Sequence, residues 1–524
     1  MVSINCFDTS LTLKDNVKLI SRIWHPHGNG PWPTLLMRQP YGRQIASTIT
    51  YAHPSWWVSK GYMVIIQDVR GQGDSEGIFQ GFSQEADDTS ETHNWVRSLK
   101  ECNGRLGLYG FSYQGFTQLT GESNSQPPDC LSPAMTGLNI KDHWCSDGGA
   151  YWWHNNIAWG LQITALKMKR ENNFTAWEKI RLSLENKRYL REGLDILRKY
   201  DPNSFVLEWH KNLTNANPFD EIKPISKWIK KPMFIIGGLW DPHLKGAFDL
   251  YKKSKEAGGS PEIIIGNATH LNWWEGSQES LLKFFDKHLK SDEKFNSKNS
   301  KRENKIWNIS LNKWEELDNK FHPEFIFGLK SDGTANIEVE DGSLTINSKG
   351  SGWFTIVSDP WRPTPSDGGH LGPSPGKFNR NYIDKRLDVG VFQSNYFEED
   401  QYFRGVPTLE IAVKSDQPYF DICLALSLVE EGNEKVNQFS TGFLRVKNSK
   451  ISEESIYQII MQPTNICLIK GSKLRLSISA AAYPAIGVNP GYGEGNIGAP
   501  SANHRIITLS FCLNKTFMKM TPFF

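Results

Sequence analysis

The sequence predicts an α/β fold with a parallel sheet for the first half of the chain and an all-β fold for the second half. In the first half, short apolar runs alternate with helical patterns, which is typical of a parallel sheet with right-handed crossovers. In the second half, apolar and polar residues alternate one by one, as in strands with a single buried face. The chain has 524 residues, more than one hydrophobic core can stabilise, so we expect two or three domains.

Seven apolar runs predict strands of the first sheet, and they lie at residues 17–24, 33–39, 62–67, 105–109, 134–138, 232–238 and 261–266. Helical patterns cover residues 84–99, 244–254 and 277–290. The stretch from Lys141 to about Trp228 differs in kind, because it holds long helical patterns such as 176–190. It also holds a cluster of aromatic residues: Trp144, Tyr151, Trp152, Trp153 and Trp159. We interpret it as a helical insertion into the α/β part.

A polar and charged stretch at residues 291–305 predicts a linker. Past it, side chains alternate with a period of two at residues 409–414, 420–427, 474–478 and 507–513. Few helical patterns separate these runs, so they predict a β-sandwich of about two sheets.

Composition and charge argue against several classes of protein. The formal net charge is only +2, which speaks against a nucleic-acid partner, because phosphate binding needs a clustered basic surface. No signal peptide is visible, and no apolar run reaches the roughly 18–20 residues that cross a bilayer. None of the seven cysteines has C-x-x-C spacing, so we expect no zinc or redox site, and their odd number leaves a free thiol. Together these features predict a soluble cytoplasmic protein without a membrane partner.

The most informative stretch is Gly110-Phe111-Ser112-Tyr113-Gln114-Gly115, which joins a predicted strand to a predicted helix. A serine at such a turn, with glycines on both sides, is typical of a nucleophile elbow, where the serine backbone is strained and its neighbours must be small. The general pattern has glycine two residues after the serine, whereas here Gln114 stands there and Gly115 follows. The same residues also fit an ordinary strand–helix junction with a surface serine.

Further polar residues follow predicted strands, where the active groups of an open α/β sheet lie. They are Tyr41, Asp68, Asp241 and His270. A serine nucleophile needs a base, and the base needs an acid that orients it. Ser112, Asp241 and His270 follow each other in the order found in α/β-hydrolases, so we expect them to form a catalytic triad. His243 is a second candidate for the base and Asp68 for the acid, although a loop-capping role suits Asp68 better.

Several segments resemble the family of cocaine esterases, α-amino-acid ester hydrolases and X-Pro dipeptidyl-peptidases. They lie at residues 40–43, 61–77, 110–115, 238–241, 266–270, 359–365, 368–369 and 386–389. The serine motif fits that family's own pattern, G-x-S-Y-x-G, which accounts for the position of Gly115. The base segment departs from the family's G-P-W-x-H, because it reads Gly266-Asn267-Ala268-Thr269-His270.

The resemblance implies an α/β-hydrolase core at residues 1–141 and 231–290, a helical cap at 142–230, a linker at 291–305 and a β-sandwich (jelly-roll) domain at 306–524. It implies a serine hydrolase that cleaves an ester or amide bond through an acyl-enzyme intermediate. Ser112 would be the nucleophile, His270 the base and Asp241 the acid. The Tyr41 hydroxyl and the Tyr113 backbone N–H would hold the oxyanion. Such an enzyme needs no metal and no organic cofactor.

The sequence leaves the substrate open. An esterase for a small acyl group, an X-Pro dipeptidyl-peptidase and an α-amino-acid ester hydrolase or acyltransferase all fit the motifs. Binding a free α-amino group would need a carboxylate near the pocket; Asp147 is a candidate, although the sequence favours a solvated side chain there. An apolar acyl or aryl pocket could be lined by tryptophans that core packing explains equally well: Trp152, Trp153, Trp273 and Trp274.

A different class of protein also fits. A jelly roll rich in aromatic residues can hold carbohydrate, so a non-catalytic binding protein on a hydrolase scaffold is the alternative to an enzyme. For the enzyme we expect a small ester or amide, or a short peptide, as substrate. The sequence leaves the oligomeric state open, a homo-oligomer included.

Overall fold

The structure is a computed structural model, and it describes residues 4–44, 50–122, 124–215, 219, 225–290, 302–317, 324–432, 435–493 and 497–523. Its first twelve strands are β1 (Ile4–Thr12), β2 (Lys18–Pro26), β3 (Trp32–Gln39), β4 (Met63–Asp68), β5 (Cys102–Phe111), β6 (Cys130–Ala134), β7 (Ser146–Asp147), β8 (Ala150–Tyr151), β9 (Phe234–Gly238), β10 (Glu262–Gly266), β11 (Asn304–Asn308) and β12 (Lys313–Glu316). Ten of them form one sheet in the order β1-β2-β4-β3-β5-β6-β9-β10-β11-β12, and β7 pairs with β8 alone. The strands from β4 to β11 in this order run parallel, which confirms the predicted α/β fold.

The helices are α1 (Pro54–Ser59), α2 (Glu85–Ser98), α3 (Tyr113–Phe116), α4 (Trp153–Arg170), α5 (Phe174–Glu185), α6 (Tyr189–Tyr200), α7 (Phe205–Thr214), α8 (Ser226–Ile229), α9 (Leu244–Glu256) and α10 (Ser277–Phe285). Short helices of other types cover Gly81–Gln84, Lys141–Cys145 and Asp286–Lys290. Helices α4 to α8 lie between β6 and β9, in the stretch expected to be helical. The single helix expected at 176–190 is two helices, because Lys187 adopts a left-handed φ of 56° between α5 and α6.

Strand β6 lies earlier in the chain than the apolar pattern indicates. The expected strand was 134–138, whereas the observed strand is Cys130–Ala134. Met135 has a left-handed φ of 43°, which ends the strand there. The shift matters for the site, because the carbonyl oxygen of Ala134 accepts a hydrogen bond from the backbone N–H of Ser112 at 2.9 Å.

The first sheet extends further along the chain than expected. β11 pairs in parallel with β10, and β12 returns antiparallel beside it. The domain boundary expected at residue 306 therefore falls inside β11. The linker expected at 291–305 includes the start of that strand. Residues 291–301 of this linker lie outside the described residues. The polar flanks conceal a strand whose central side chain, Ile306, is fully buried. The division into domains stays a prediction.

The second half of the chain is all-β, as expected. Its strands are β13 (Phe325–Ser331), β14 (Ser343–Ile346), β15 (Ser351–Ser358), β16 (Phe378–Asn379), β17 (Val389–Ser394), β18 (Gln401–Ser415), β19 (Phe420–Glu430), β20 (Val436–Val446), β21 (Ser455–Ile460), β22 (Thr464–Leu468), β23 (Ser472–Ser479) and β24 (Ile507–Pro522). They are joined in the order β16-β20-β19-β23-β17-β14-β13-β15-β24-β18-β21, with β22 also on β18. The four runs with a period of two lie in β18, β19, β23 and β24, and their apolar side chains are buried.

All seven cysteines are free thiols. Within the described ranges, no helix combines the length and the apolar character that crossing a membrane requires.

Candidate active site

The residues singled out in the sequence meet at one edge of the first sheet. Tyr41 follows β3, Asp68 ends β4, Ser112 follows β5, Asp241 follows β9 and His270 follows β10. All five strands are parallel, so their carboxyl ends lie at the same edge, which is where an open α/β sheet holds its active groups.

Ser112 lies between β5 and α3 with a left-handed backbone, φ 58° and ψ −128°. This is the strained turn of a nucleophile elbow. Gly110, with φ of 142°, has no room for a side chain, because an added Cβ would lie 2.4 Å from Cβ of Gln114. The tight turn presents the Ser112 side chain at the edge of the sheet, and the residue is 6% exposed.

The displaced glycine of the elbow has a structural reason. A Cβ at Gly115 would lie 2.9 Å from the carbonyl oxygen of Ala134, the last residue of β6. Gln114 instead carries a side chain that accepts a hydrogen bond from the backbone N–H of Phe111 at 3.3 Å. The short helix therefore touches β6 at residue 115, and this position is the one that must be small.

His270 and Asp241 form a close pair. Nδ1 of His270 donates to Oδ2 of Asp241 at 2.5 Å. Asp241 is fully buried, whereas the side chain of His270 is 28% exposed. Burial acts to raise the pKa of Asp241, but the charge and hydrogen bond of His270 outweigh it, so this pKa lies below its usual value. A buried carboxylate that stays ionised beside an imidazole is suited to orient it and to stabilise its charged form.

Phe111 connects this pair to the elbow, because its ring lies 5.2 Å from the ring of His270 and its chain neighbour is Ser112. Within the described residues, the structure holds no hydrogen bond between the Ser112 hydroxyl and His270. In enzymes without substrate such bonds are often long and tighten on binding.

His243, the second candidate for the base, has other partners. Its Nδ1 donates to the carbonyl oxygen of His143 at 2.6 Å, and its backbone N–H donates to Oδ1 of Asp241 at 2.8 Å. Burial lowers the pKa of His243 to about 4, so its ring is neutral near pH 7. The ring lies 5.2 Å from that of His270. His243 therefore orients the acid through its backbone.

Among the described residues, Asp241, His243 and His270 offer ligand atoms within 4.8 Å of one another, close enough that they could hold a metal ion. Asp241 and His270 are already bonded to each other at 2.5 Å. Two ligands of one tetrahedral zinc ion lie roughly 3.3 Å apart. The geometry of the pair thus fits a proton shared between them better than an ion.

Tyr41 reaches the elbow from the loop after β3. Its backbone N–H donates to Oε1 of Gln39 at 2.6 Å. Its hydroxyl oxygen accepts a hydrogen bond from Nε1 of Trp159 at 3.1 Å, and the side chain of Ser112 lies beside it. Burial raises the pKa of Tyr41 to about 12, so the hydroxyl keeps its proton and is a donor at the point where Ser112 would react.

The side chain of Tyr113 is bound to a buried acid. It is fully buried, and its hydroxyl donates to Oε1 of Glu85 at 2.6 Å. The other carboxylate oxygen of Glu85 pairs with Nη1 of Arg38 at 2.9 Å. Tyr113 is also the first residue of α3, so its backbone N–H has no partner inside the helix. Its side chain anchors the elbow and leaves this N–H available.

Asp68, the rival acid, holds loops together. Its Oδ1 accepts from the backbone N–H of Arg43 at 2.5 Å, and its Oδ2 accepts from Nη1 of Arg43 at 2.7 Å and from the backbone N–H of Asp74 at 3.1 Å. A Cβ at Gly73 would lie 2.2 Å from this carboxyl group, which explains one glycine of the glycine-rich loop. Asp68 thus ties that loop to the Tyr41 loop.

The four tryptophans named as pocket candidates divide into two pairs. Nε1 of Trp273 donates to the carbonyl oxygen of His270 at 3.3 Å, and the ring of Trp152 lies 5.7 Å from that of His243. Trp153 instead donates to the carbonyl oxygen of Leu190 at 2.9 Å, in the helical part. Trp274 is partly buried and packs on Trp314 at 5.2 Å and on Gly266, against the core of the first sheet. The structure brings the first two, but not the last two, into contact with histidines of the site.

Two further tryptophans lie beside Tyr41 and His243: Trp159 and Trp144, which belong to the cluster noted in the sequence but were not among the candidates. The ring of Trp144 lies 4.4 Å from that of His243 and stacks on Trp159 at 6.0 Å. In the sequence, both appear only as members of an aromatic cluster, fifteen residues apart. The structure places Trp144 in the short helix Lys141–Cys145 and Trp159 in α4, and their spacing does not show which of them reaches Tyr41.

Asp147 is buried rather than solvated, contrary to the expectation from the sequence. It accepts from Nζ of Lys245 at 2.6 Å and from Nε2 of His370 at 3.0 Å. Its pKa lies below the usual value, because these two partners outweigh the effect of burial. The three side chains come from β7, from α9 and from the all-β half, so the carboxylate joins three regions of the chain.

A strained serine after a parallel strand, with a histidine–carboxylate pair on later strands, defines a serine hydrolase of the α/β-hydrolase class. The model of the X-Pro dipeptidyl-peptidase (S15) family matches residues 15–272, and the model of the X-Pro dipeptidyl-peptidase C-terminal non-catalytic domain matches residues 324–510. The catalytic model matches the first half of the chain and the C-terminal model matches the second half, so together they cover most of it. The chain belongs to this family, and it is a hydrolase of ester or peptide bonds rather than a non-catalytic binding protein.

Similar proteins span the whole chain. Cocaine esterase of Rhodococcus sp. (strain MB1 Bresler) is 22% identical over 534 residues, which covers 92% of this chain and 91% of the esterase. An α-amino-acid ester hydrolase has a similar structure, with a TM-score of 0.75, 18% identity and coverage of 99% and 96% of the two chains. An aminopeptidase from a marine sediment archaeon, Thaumarchaeota archaeon, has a TM-score of 0.74, 18% identity and coverage of 99% and 97%. At these identities the two solved structures speak for the fold alone.

Proposed function

We propose that Ser112 is the nucleophile of this hydrolase, with His270 as general base and Asp241 as the acid that orients it. The strained backbone of Ser112 and the 2.5 Å bond between His270 and Asp241 are the observations that carry this proposal. The Ser112 oxygen attacks the carbonyl carbon of the substrate while His270 takes the hydroxyl proton. His270 then returns that proton to the leaving group, and water hydrolyses the acyl-enzyme in the reverse sequence.

The oxyanion of the tetrahedral intermediate forms between the Tyr41 hydroxyl and the backbone N–H of Tyr113. The Tyr41 hydroxyl lies beside Ser112, and its raised pKa keeps it protonated. Donors placed before the reaction stabilise the developing charge without reorganisation, which commonly contributes 10²–10³-fold in kcat for each donor.

The preferred substrate is an ester with an uncharged acyl group, apolar or aromatic. Trp159 contacts Tyr41, and Trp144 stacks on Trp159, so an apolar wall lies beside the reacting groups. Among the described residues, the buried acids Asp147 and Glu85 are already paired, the first with Lys245 and His370 and the second with Arg38 and Tyr113. Taking such an acid away from its buried partner is costly. The buried pairs support an esterase over an X-Pro dipeptidyl-peptidase or an α-amino-acid ester hydrolase.

A fluorophosphonate probe tests the nucleophile. Ser112→Ala should lose all labelling, whereas Ser98→Ala, which changes an exposed serine on α2, should be labelled like the unchanged protein. Labelling that persists in Ser112→Ala would mean another nucleophile.

A panel of chromogenic substrates tests the acyl group. We expect the highest kcat/KM for p-nitrophenyl butyrate or benzoate and little turnover of alanine or glycyl-proline p-nitroanilide. A preference for the two anilides would overturn the assignment to uncharged acyl groups while leaving the nucleophile unaffected.

A cytoplasmic location stays a prediction, and so does the possible assembly into a homo-oligomer.

A further inference from the structure

We propose that Trp159 is a positioning residue for the reaction, because its indole N–H determines the direction in which the Tyr41 hydroxyl donates its proton. The bond from Nε1 of Trp159 to the Tyr41 oxygen, 3.1 Å long, joins helix α4 to the loop after β3. The inference rests on the proposed role of Tyr41 at the oxyanion.

The direction of this hydrogen bond is unambiguous. An indole N–H can only donate, whereas a phenol oxygen both accepts and carries one proton. With Trp159 donating to its oxygen, Tyr41 must direct its own proton to another acceptor. Among the described residues, the Ser112 side chain is the other group that interacts with this hydroxyl. The proton therefore points to the place where the substrate carbonyl will meet Ser112.

Donation by the indole also makes the tyrosine a stronger donor. A hydroxyl that accepts one hydrogen bond is polarised and donates the next one more strongly, most of all where water is scarce. The indole bond acts on Tyr41 in the same sense, as it works to lower a pKa that burial has raised. The hydrogen bond from the indole therefore helps the Tyr41 hydroxyl to stabilise negative charge on the oxygen atom to which it donates.

The indole is held in place by its surroundings. Its ring stacks on Trp144 at 6.0 Å and meets Phe205 edge to face at 4.8 Å. At the C-terminal end of α4, Arg170 donates to the carbonyl oxygens of Gly71 and Ser75, the latter at 2.9 Å. Helix α4 is therefore attached through Trp159 and through Arg170 to the loops that follow β3 and β4, which limits the movement of Trp159 relative to Tyr41.

This role differs from that of a pocket wall, because a wall needs only the ring. Trp159→Phe keeps an aromatic ring and removes the N–H, so it separates the two roles. We expect kcat for p-nitrophenyl acetate to fall about five- to tenfold, the loss of one hydrogen bond, while KM changes less than twofold. The short acetyl group keeps contacts with the ring to a minimum.

A double-mutant cycle with Tyr41→Phe decides whether Trp159 acts through Tyr41. In the Tyr41→Phe protein, Trp159→Phe should cause no further loss. An equal loss in both backgrounds, or no loss in either, would overturn the inference. If Tyr41→Phe alone leaves kcat unchanged, the oxyanion role of Tyr41 fails instead, and the two failures are thereby distinguished.

Two controls guard against a general loss of packing. Trp209→Phe changes a neighbouring indole, whose ring lies 6.0 Å from that of Trp159. An equal drop in kcat in this variant would assign the effect to packing and refute the positioning role. Every kcat is divided by the number of sites that a fluorophosphonate titrates, so that misfolded protein does not contribute.

Discussion

Removal of one hydroxyl from each of two tyrosines should separate stability from catalysis. In Tyr113→Phe the buried carboxylate of Glu85 loses a donor at 2.6 Å and keeps its ion pair with Arg38 at 2.9 Å. A hydrogen bond to a charged group contributes about 1.5–3 kcal/mol to folding. A loss of about 2 kcal/mol lowers the melting temperature by roughly 4–8 °C in a cooperative unit of 150–250 residues. The pKa of Glu85, already raised by burial, should rise further.

Tyr113→Phe should lose stability and keep most of its activity, whereas Tyr41→Phe should lose activity and keep its stability. Tyr113→Phe retains the backbone N–H that we assign to the oxyanion, so its kcat should stay within an order of magnitude. Tyr41→Phe loses the hydroxyl beside Ser112, so its kcat should fall roughly 10²–10³-fold with little change in melting temperature. Differential scanning fluorimetry and hydrolysis of p-nitrophenyl butyrate, run on the same samples, measure both quantities. A loss of kcat in Tyr113→Phe as large as in Tyr41→Phe would refute the division between side chain and backbone.

Other consequences of the structure can be measured as well. Asp241→Asn should lower kcat roughly 10³–10⁴-fold, because His270 loses the carboxylate that selects its tautomer, and a loss below tenfold would point to another acid. Gly110→Ala should abolish probe labelling of the elbow, since its Cβ would lie 2.4 Å from Gln114, and normal labelling would contradict this account of the turn. Burial lowers the pKa of His210 to about 4 from its usual 6.5, so the unfolded chain takes up the proton first and stability falls as the pH drops from 6.5 towards 4. At pH 4.5 this histidine should cost about 2–3 kcal/mol relative to pH 7.5, and urea denaturation of His210→Gln should show a correspondingly smaller difference between the two pH values.

Much of the site was accessible to sequence reasoning because it depends on strand ends. A residue that follows a buried parallel strand lies at the reacting edge whatever the rest of the fold does. Tyr41, Ser112, Asp241 and His270 were identified in this way, and the structure brings all four to one edge. Their roles stay predictions until the variants are measured.

The residues that the sequence did not reveal depend on contacts between distant segments. Asp147 was expected in solvent, yet its partners Lys245 and His370 lie 98 and 223 residues away along the chain. The same holds for Trp159, which contacts Tyr41 across 118 residues. Among several tryptophans with similar neighbours in the sequence, only the packing of α4 selects the one that reaches the site.

Strands concealed by polar flanks were also missed. β11 has a single fully buried side chain among its apolar residues, Ile306, and no local pattern shows that it pairs with β10. β6 was placed a few residues late, because the left-handed Met135 ends the strand inside an apolar run. Local patterns report which residues prefer to be buried, and pairing partners decide where a strand begins and ends.

The sequence by itself determined the class of fold, the elbow around Ser112 and the order of the histidine and the acid, because these follow from local periodicity and from residues that must be small. Only the tertiary structure explains why the serine motif has its second glycine at residue 115. At this position α3 lies against the carbonyl oxygen of Ala134, so a side chain would not fit. It also decided that Asp147 is paired and that Trp159 donates to Tyr41. Hydrogen bonds and ion pairs form between groups that are close in space, and closeness across a hundred residues follows from how sheets and helices pack.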